Sequence, residues 1–332
     1  MLERVLVPLD GSQLAEGALA HAVALAQATG ACLTAVHVLE PEKQPSQATA
    51  IDPLDWHLRK AEATAYLETV EHRLEGLELR VEMLLLEGNA AQQIVDFARS
   101  EEVDLIVLSS HGSSGLTPWN VSSVVQKIIF RANTSVMIVR AYQQTEQSLG
   151  DLQYRRIAVP LDGSRRAEHV LPLVTALARS AGCKPWLVNV VVRPEMPRHA
   201  PLAPEDAALA DELTARNRKA ADKYLGQLEE RLPDVQVRAL TGDSVITTLH
   251  DFVNEEEMDL VVFSAHGHSG SSRRPYGSVV TSFIVYGNTP LLIVQDVPQE
   301  EIEPGDAEVA AQTGESDSGK GGRTVVHART TQ

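Results

Sequence analysis

Val5-Leu-Val-Pro-Leu-Asp-Gly-Ser12 is written a second time as Ile157-Ala-Val-Pro-Leu-Asp-Gly-Ser164, and the reading of this pair decides the fold. Each copy is a short apolar run that stops at Asp-Gly-Ser, the pattern of a buried strand running into a turn. The repeat extends outward from there. Gly30 and Gly182 share the offset of 152 that relates Asp10 to Asp162. Val103-Asp-Leu-Ile-Val-Leu-Ser109 matches Met258-Asp-Leu-Val-Val-Phe-Ser264 at an offset of 155, as do His111-Gly112 with His266-Gly267 and Asn133–Val139 with Asn288–Val294. So long a period means tandem domains, since solenoid units run to about 20–50 residues.

Composition fits that reading. The chain has 332 residues, the length of about two domains, and 43% hydrophobic content to build their cores. No apolar run approaches the ~18 residues needed to cross a bilayer, and the N-terminus lacks the basic and apolar regions of a signal peptide. The expected location is the cytoplasm, with no membrane partner. A formal charge of −16 disfavours a nucleic-acid partner, which needs clustered Lys and Arg for its phosphates. Cys32 and Cys183 are expected as reduced core residues in buried strands of different domains.

The hydrophobic pattern predicts one order of elements, twice. In the first half strands are expected at Val5–Pro8, Leu33–Leu39, Leu79–Leu86, Asp104–Leu108 and Val136–Val139. Helices are expected at about Ser12–Thr29, Pro53–Glu75, Gln92–Ser100 and Val121–Arg131, the first capped by Ser12 or Asp10 and ended by Gly30. Alternating strands and helices argue for an α/β fold: two tandem Rossmann-like domains, each a doubly wound parallel sheet of five strands. The expected boundaries are 1–143 and 154–297, with a polar linker at 144–153. Residues 298–332 turn acidic and then Gly/Ser/Thr-rich, a composition expected to be disordered.

In such a sheet ligands bind at the carboxyl ends of the strands, where strand order reverses. Two segments of each repeat meet there: the Asp-Gly-Ser after strand one and the Gly/Ser-rich loop after strand four. A loop of that kind, leading into a helix, offers backbone N–H groups and the positive end of a dipole to a phosphate. An ordinary flexible loop with a Gly-Ser helix start explains it equally well.

These residues resemble the universal stress protein family in a tandem two-domain form. Nucleotide-binding members carry Gly-x2-Gly-x9-Gly-(Ser/Thr) after strand four and an Asp after strand one, in an adenine-nucleotide α-hydrolase-like fold. Here the second copy reads Ser264-x2-Gly267-x9-Gly277-Ser278, with Asp162 as the acid. The resemblance implies that ATP, with or without Mg, is held there by Pro160, Leu161, Asp162 and Val190 around the adenosine. Ser264, Gly267, Gly277, Ser278, Val279 and Val280 then surround the phosphates, joined by Arg273 and Arg274. The degenerate first copy offers Pro8, Asp10, Val38, Ser109, Gly112, Ser122, Ser123 and Val124.

Departures from the signature favour the second domain. Both copies replace the first Gly with Ser, and the first copy also replaces the third with Ser122. If that position needs φ > 0 or close approach to a phosphate, a Cβ costs about 1–2 kcal/mol. Charge points the same way: the second copy has Arg165, Arg166, Arg273 and Arg274, whereas the first has Gln13 and Leu14, then Thr117 and Pro118, with no basic residue between Gly112 and Lys127. The alternative is that these arginines solvate helices or pair with acids such as Glu168.

Other chemistry is weakly signalled. His266-Gly-His268 has no third ligand at zinc spacing, so no metal site is expected, and loop histidines bonded to backbone explain the pair. There is no Gly-x4-Gly-Lys-(Ser/Thr) loop and no Gly-x-Ser-x-Gly elbow. No catalytic residue is assigned. The expected function is therefore a nucleotide-binding stress or signalling module with at most slow ATP hydrolysis. A nucleotide-free interaction module and a nucleotidyl-transferring enzyme are the alternatives. The resemblance also implies an internal pseudo-dimer along Val136–Arg140 and Leu291–Gln295, with further pairing of two chains as a homodimer.

Overall fold

Acid, glycine and serine each have a separate task in the repeated Asp-Gly-Ser, which explains why the tripeptide is written twice. In the computed structural model, Asp10 Oδ1 accepts from the Ser12 amide at 3.0 Å and Asp162 Oδ1 from the Ser164 amide at 3.0 Å. The glycine between them lies at φ +79° in the first copy and +83° in the second, a left-handed conformation that costs another L-residue about 1–2 kcal/mol. Each serine caps the helical turn after it, its Oγ accepting from Ala15 N or Ala167 N at 3.1 Å.

The structure describes residues 2–41, 53–112, 121–141, 149–194, 204–267, 275–296 and 323–329. It divides into two compact units, Met1–Gln153 with Val297–Gln332, and Tyr154–Asp296. The first contains β1 (Arg4–Leu9), α1 (Gln13–Thr29), β2 (Cys32–Leu39), α2 (Pro53–Leu74), β3 (Val81–Glu87), α3 (Ala90–Ser100), β4 (Leu105–Ser109), α4 (Ser123–Arg131) and β5 (Ser135–Val139). Its strands run in the order β3-β2-β1-β4-β5. All are parallel, with Val5 registered against both Leu33 and Leu105. The central strands are sealed on both faces: Val5, Leu6 and Val7 are fully buried, as are Leu105, Ile106 and Val107. That is why these strands read as continuous apolar runs instead of alternating ones.

The second unit repeats the plan with β6 (Ile157–Pro160), α5 (Leu171–Ala181), β7 (Trp186–Val192), α6 (Pro204–Arg231), β8 (Gln236–Gly242), α7 (Val245–Glu255), β9 (Leu260–Ser264), α8 (Ser278–Tyr286) and β10 (Leu291–Val294). Its order is β8-β7-β6-β9-β10, again parallel. The expected α/β class and parallel sheets are observed, with most element bounds within about two residues of those expected.

One difference between the units comes from a single proline. Where α1 begins directly at Gln13, the second copy inserts a 3-10 turn at Ala167–Val170 before α5. Pro172 has no N–H to give back to residue 168, so a continuous α-helix would lose that bond.

Two further expectations are corrected. Cys32 is in β2, but Cys183 precedes β7 instead of lying in it, and both thiols are free and half-buried. Burial holds each thiol above its ordinary range, with the Glu82 and Asp259 carboxylates acting in the same direction on Cys32 and Cys183 respectively. Both are therefore less reactive than an exposed cysteine. Most of the tail lies outside the described residues. Within it, however, Arg323–Arg329 forms a strand, β11, antiparallel to β3. Thr324, Val325 and Val326 are β-branched, and the outer edge of β3 offers the unpaired backbone that such a segment can take up.

Candidate functional site

The reversal of strand order falls between β1 and β4 in one unit and between β6 and β9 in the other, so loops diverge there and leave a crevice. In the second unit this crevice is a cavity of about 380 Å³. Pro160, Leu161 and Asp162 enter it from the end of β6, and Val190 from β7. Ser264 and Gly267 come from the end of β9, and Gly277, Ser278, Val279 and Val280 from the start of α8. All ten of these sequence-derived positions line one cavity. Arg273, Arg274 and His268 lie outside the described residues, as do Thr117 and Pro118 of the first copy.

Gly267 is fixed by the acid. A Cβ built on it would collide with Asp162 Oδ2, and one on Gly112 would collide with Asp10 Oδ2. In both copies the carboxylate after the first strand lies against the bare Cα of the glycine after the fourth. The backbone beyond it is also shared. Ala265 N donates to Val294 O at 2.8 Å and Gly277 N to Ala265 O at 2.9 Å, while Ser110 N donates to Val139 O at 2.7 Å and Ser122 N to Ser110 O at 2.8 Å.

The third glycine does not relieve backbone strain, which removes the first of the two reasons the sequence allowed for it. Gly277 has φ −69° and ψ 165°, and Ser122 has φ −70° and ψ 162°. Any residue adopts this extended conformation, and a Cβ on Gly277 would meet only Ala265 O, at 3.8 Å. What differs is the cap. Ser122 Oγ accepts from Val125 N at 3.3 Å and so occupies one of the open amides of α4. Gly277 has no side chain to do this, and α8 begins with no side-chain cap. Its first-turn N–H groups and dipole thus face the cavity uncapped by any side chain. Ser109 and Ser264, at the first signature position, are both buried, with Oγ atoms that find no hydrogen-bond partner among the described residues.

Of the four candidate arginines, Arg165 and Arg166 fall among the described residues. Arg166 Nε lies 3.1 Å from Asp296 Oδ2. Glu168 is paired elsewhere, accepting from Tyr224 OH at 3.1 Å and lying 3.5 Å from Arg231. Of the two arginines after Asp-Gly-Ser, only Arg165 stands exposed without an ion pair among the described residues.

Three lining residues escaped the sequence reading. Asn189 in β7 donates through Nδ2 to Leu161 O at 2.8 Å and steadies the residue before Asp162. Its counterpart His37 bonds the Leu9 backbone, and burial holds that imidazole below its ordinary range. The signal was a lone amide in a valine-rich strand. Asn217 of α6 also lines the cavity, and a polar position on a polar helix gave no signal at all. His266 is the third. Its Nδ1 lies 2.7 Å from Asp296 Oδ1, with both side chains almost wholly buried. A carboxylate therefore holds this histidine, where only backbone was expected. In the first copy His111 Nδ1 meets Ser110 Oγ at 3.1 Å instead, since Ala265 and Asp296 there become Ser110 and Ala141.

Among the described residues no cluster of three or more His, Cys, Asp or Glu is placed to hold a metal ion. None of their helices is long and apolar enough to cross a membrane.

Comparisons with known proteins agree with this repeated fold. A model of the universal stress protein family matches residues 1–140 and again 153–295. A universal stress protein of Thermus aquaticus is 33% identical over 144 residues, which is 42% of this chain and 100% of that protein. Universal stress protein MJ0531 of Methanocaldococcus jannaschii is 28% identical over 143 residues, 42% of this chain and 83% of its own. Both matched stretches are about the length of one repeat. At the level of fold, the crystal structure of a universal stress protein from Archaeoglobus fulgidus aligns with a TM-score of 0.59 and 15% identity, covering 89% of this chain and 98% of that one.

Proposed function

From a chain that belongs to the universal stress protein family, we propose a protein that binds ATP or a related adenine nucleotide in its second unit and acts as a stress-response or signalling module. The observation that carries this reading is the uncapped start of α8 at Gly277, opening onto the cavity that Asp162 and Val190 also line. Such a helix start is an anion site, since its N–H groups and dipole both favour a phosphate. A cavity of about 380 Å³ lies in the range usual for small-molecule sites, about 300–1,000 Å³. Its residues suit the parts of a nucleotide: valines for the base, a carboxylate for the ribose hydroxyls, amides for the phosphates. Any Mg would be carried mainly by those phosphates.

In the first unit Ser122 caps α4 itself, so we assign that copy the weaker site or none. Binding without rapid turnover fits a lining of positioning groups, a carboxylate and backbone amides. We also propose that the repeats pair along Val136–Arg140 and Leu291–Gln295. Cysteines introduced on these two strands should then crosslink within one chain on oxidation, and failure to do so would count against it.

The direct test is to measure nucleotide released from the gently purified full chain and then to titrate ATP. Gly277→Ser restores a cap and should gain a few tenths of a kcal/mol of stability, while lowering ATP affinity about 10-fold through lost access to the helix amides. Unchanged affinity in that variant would show that the start of α8 is not the phosphate site.

A further inference from the structure

We propose that the outer edge of β3 is a strand-docking site, which the chain keeps closed with its own residues Arg323–Arg329. The proposal is independent of the nucleotide reading. The outer strand of a sheet presents a row of backbone N–H and C=O groups that will pair with an extended segment. Without β11, β3 would be that strand in the first unit, as β8 is in the second.

The two edges differ in what they expose. Along β3 the consecutive residues Met83, Leu84, Leu85 and Leu86 are buried, and no charge stands between Glu82 and Glu87. Along β8 only Ala239 is buried, and mid-strand Arg238 pairs with Glu256 at 2.5 Å. A charge in the middle of an outer strand discourages further pairing. The second unit thus blunts its edge with an arginine, and the first covers an apolar edge with a strand.

That strand is an addition to the repeated fold. It lies outside both stretches matched by the family model, 1–140 and 153–295. It runs antiparallel in a unit whose other pairings are parallel, from Arg323 against Leu86 to Arg329 against Val81, with a bulge between Val325 and His327. β1, β2, β3, β4 and β5 pair with one another without it. Its removal therefore opens one ladder and leaves the parallel sheet complete. Tethered through residues 297–322, the strand has an effective concentration on the order of millimolar at its edge. A free competitor at micromolar concentration is then shut out.

The probe is a synthetic peptide of residues 321–332, offered at micromolar concentration to the full chain and to the full chain carrying both Thr324→Pro and Val325→Pro. Adjacent amides of a strand point to opposite sides, so one of the two prolines removes a donor that faces β3. Amide exchange across Val81–Glu87 should be at least about 10-fold faster in the double variant than in the wild type. Exchange at Val5–Val7 should stay slow in both, showing that the core is folded. The peptide should bind the double variant and slow exchange at β3 again, and bind the wild type at least about 10-fold more weakly. Equal exchange at β3 in the two proteins would show that residues 323–329 do not close the edge. Fast exchange that the peptide does not slow, or equal peptide binding by both proteins, would show that the edge is not the docking site.

Discussion

Gly267→Ala should weaken ATP binding about 10- to 100-fold, the cost of one hydrogen bond to a charged group, and by the same amount as Asp162→Ala. The added methyl would collide with Asp162 Oδ2, so the carboxylate has to swing out of the cavity. Asp162 is exposed, so displacing it moves the carboxylate toward water and breaks its bond to the Ser164 amide. The stability cost is therefore small, about 1 kcal/mol for that hydrogen bond. Because both substitutions remove the same carboxylate, the double variant should bind no more weakly than either single one. Titration of the three variants checks this as a double-mutant cycle. Additive losses would show that Gly267 and Asp162 act on the ligand independently, and that the glycine does not serve by making room for the acid.

Asp296→Ala should destabilise the second unit by up to about 3 kcal/mol, the cost of leaving a buried hydrogen-bonding partner unsatisfied. Asp296 lies between His266 Nδ1 at 2.7 Å and Arg166 Nε at 3.1 Å, and its side chain is 1% exposed. Without it the buried imidazole loses its acceptor and Arg166 its counter-charge. For a domain of this size the thermal transition should fall by up to roughly 10 °C. Asp296→Asn keeps an acceptor for the histidine and should recover part of the loss. Calorimetry on the full chain measures both, and an unshifted transition for Asp296→Ala would show that the trio contributes nothing to the fold. Freed from Asp296, Arg166 should also be available to an anion, so ATP affinity measured below the transition should not fall.

Local rules explain what could be read early. Strand, turn and cap in Val5–Ser12 and Ile157–Ser164 depend on neighbours one to three residues apart, and sequence displays such neighbours directly. Their repetition made the two α/β units legible, and the distance from Asp162 to Gly267 to Gly277 was long enough to identify a shared crevice. Of the two roles open to the third glycine, positive φ and close approach to a phosphate, the backbone removes the first. Glycine at that position serves by leaving amides uncapped, and its φ of −69° is open to any residue. Arg166 takes the acid-pairing alternative, meeting Asp296, 130 residues further along the chain.

Sequence alone thus determined the class of each unit, its duplication and the ends of the strands where a ligand could sit, because periodicity and turn chemistry are local. Tertiary structure decided which side chains are already paired: Asp162 against Gly267, His266 and Arg166 on Asp296. Those pairings span 30 to 130 residues. Only the closing of the sheet brings their members within a few ångströms, where charge and volume settle what each residue can do.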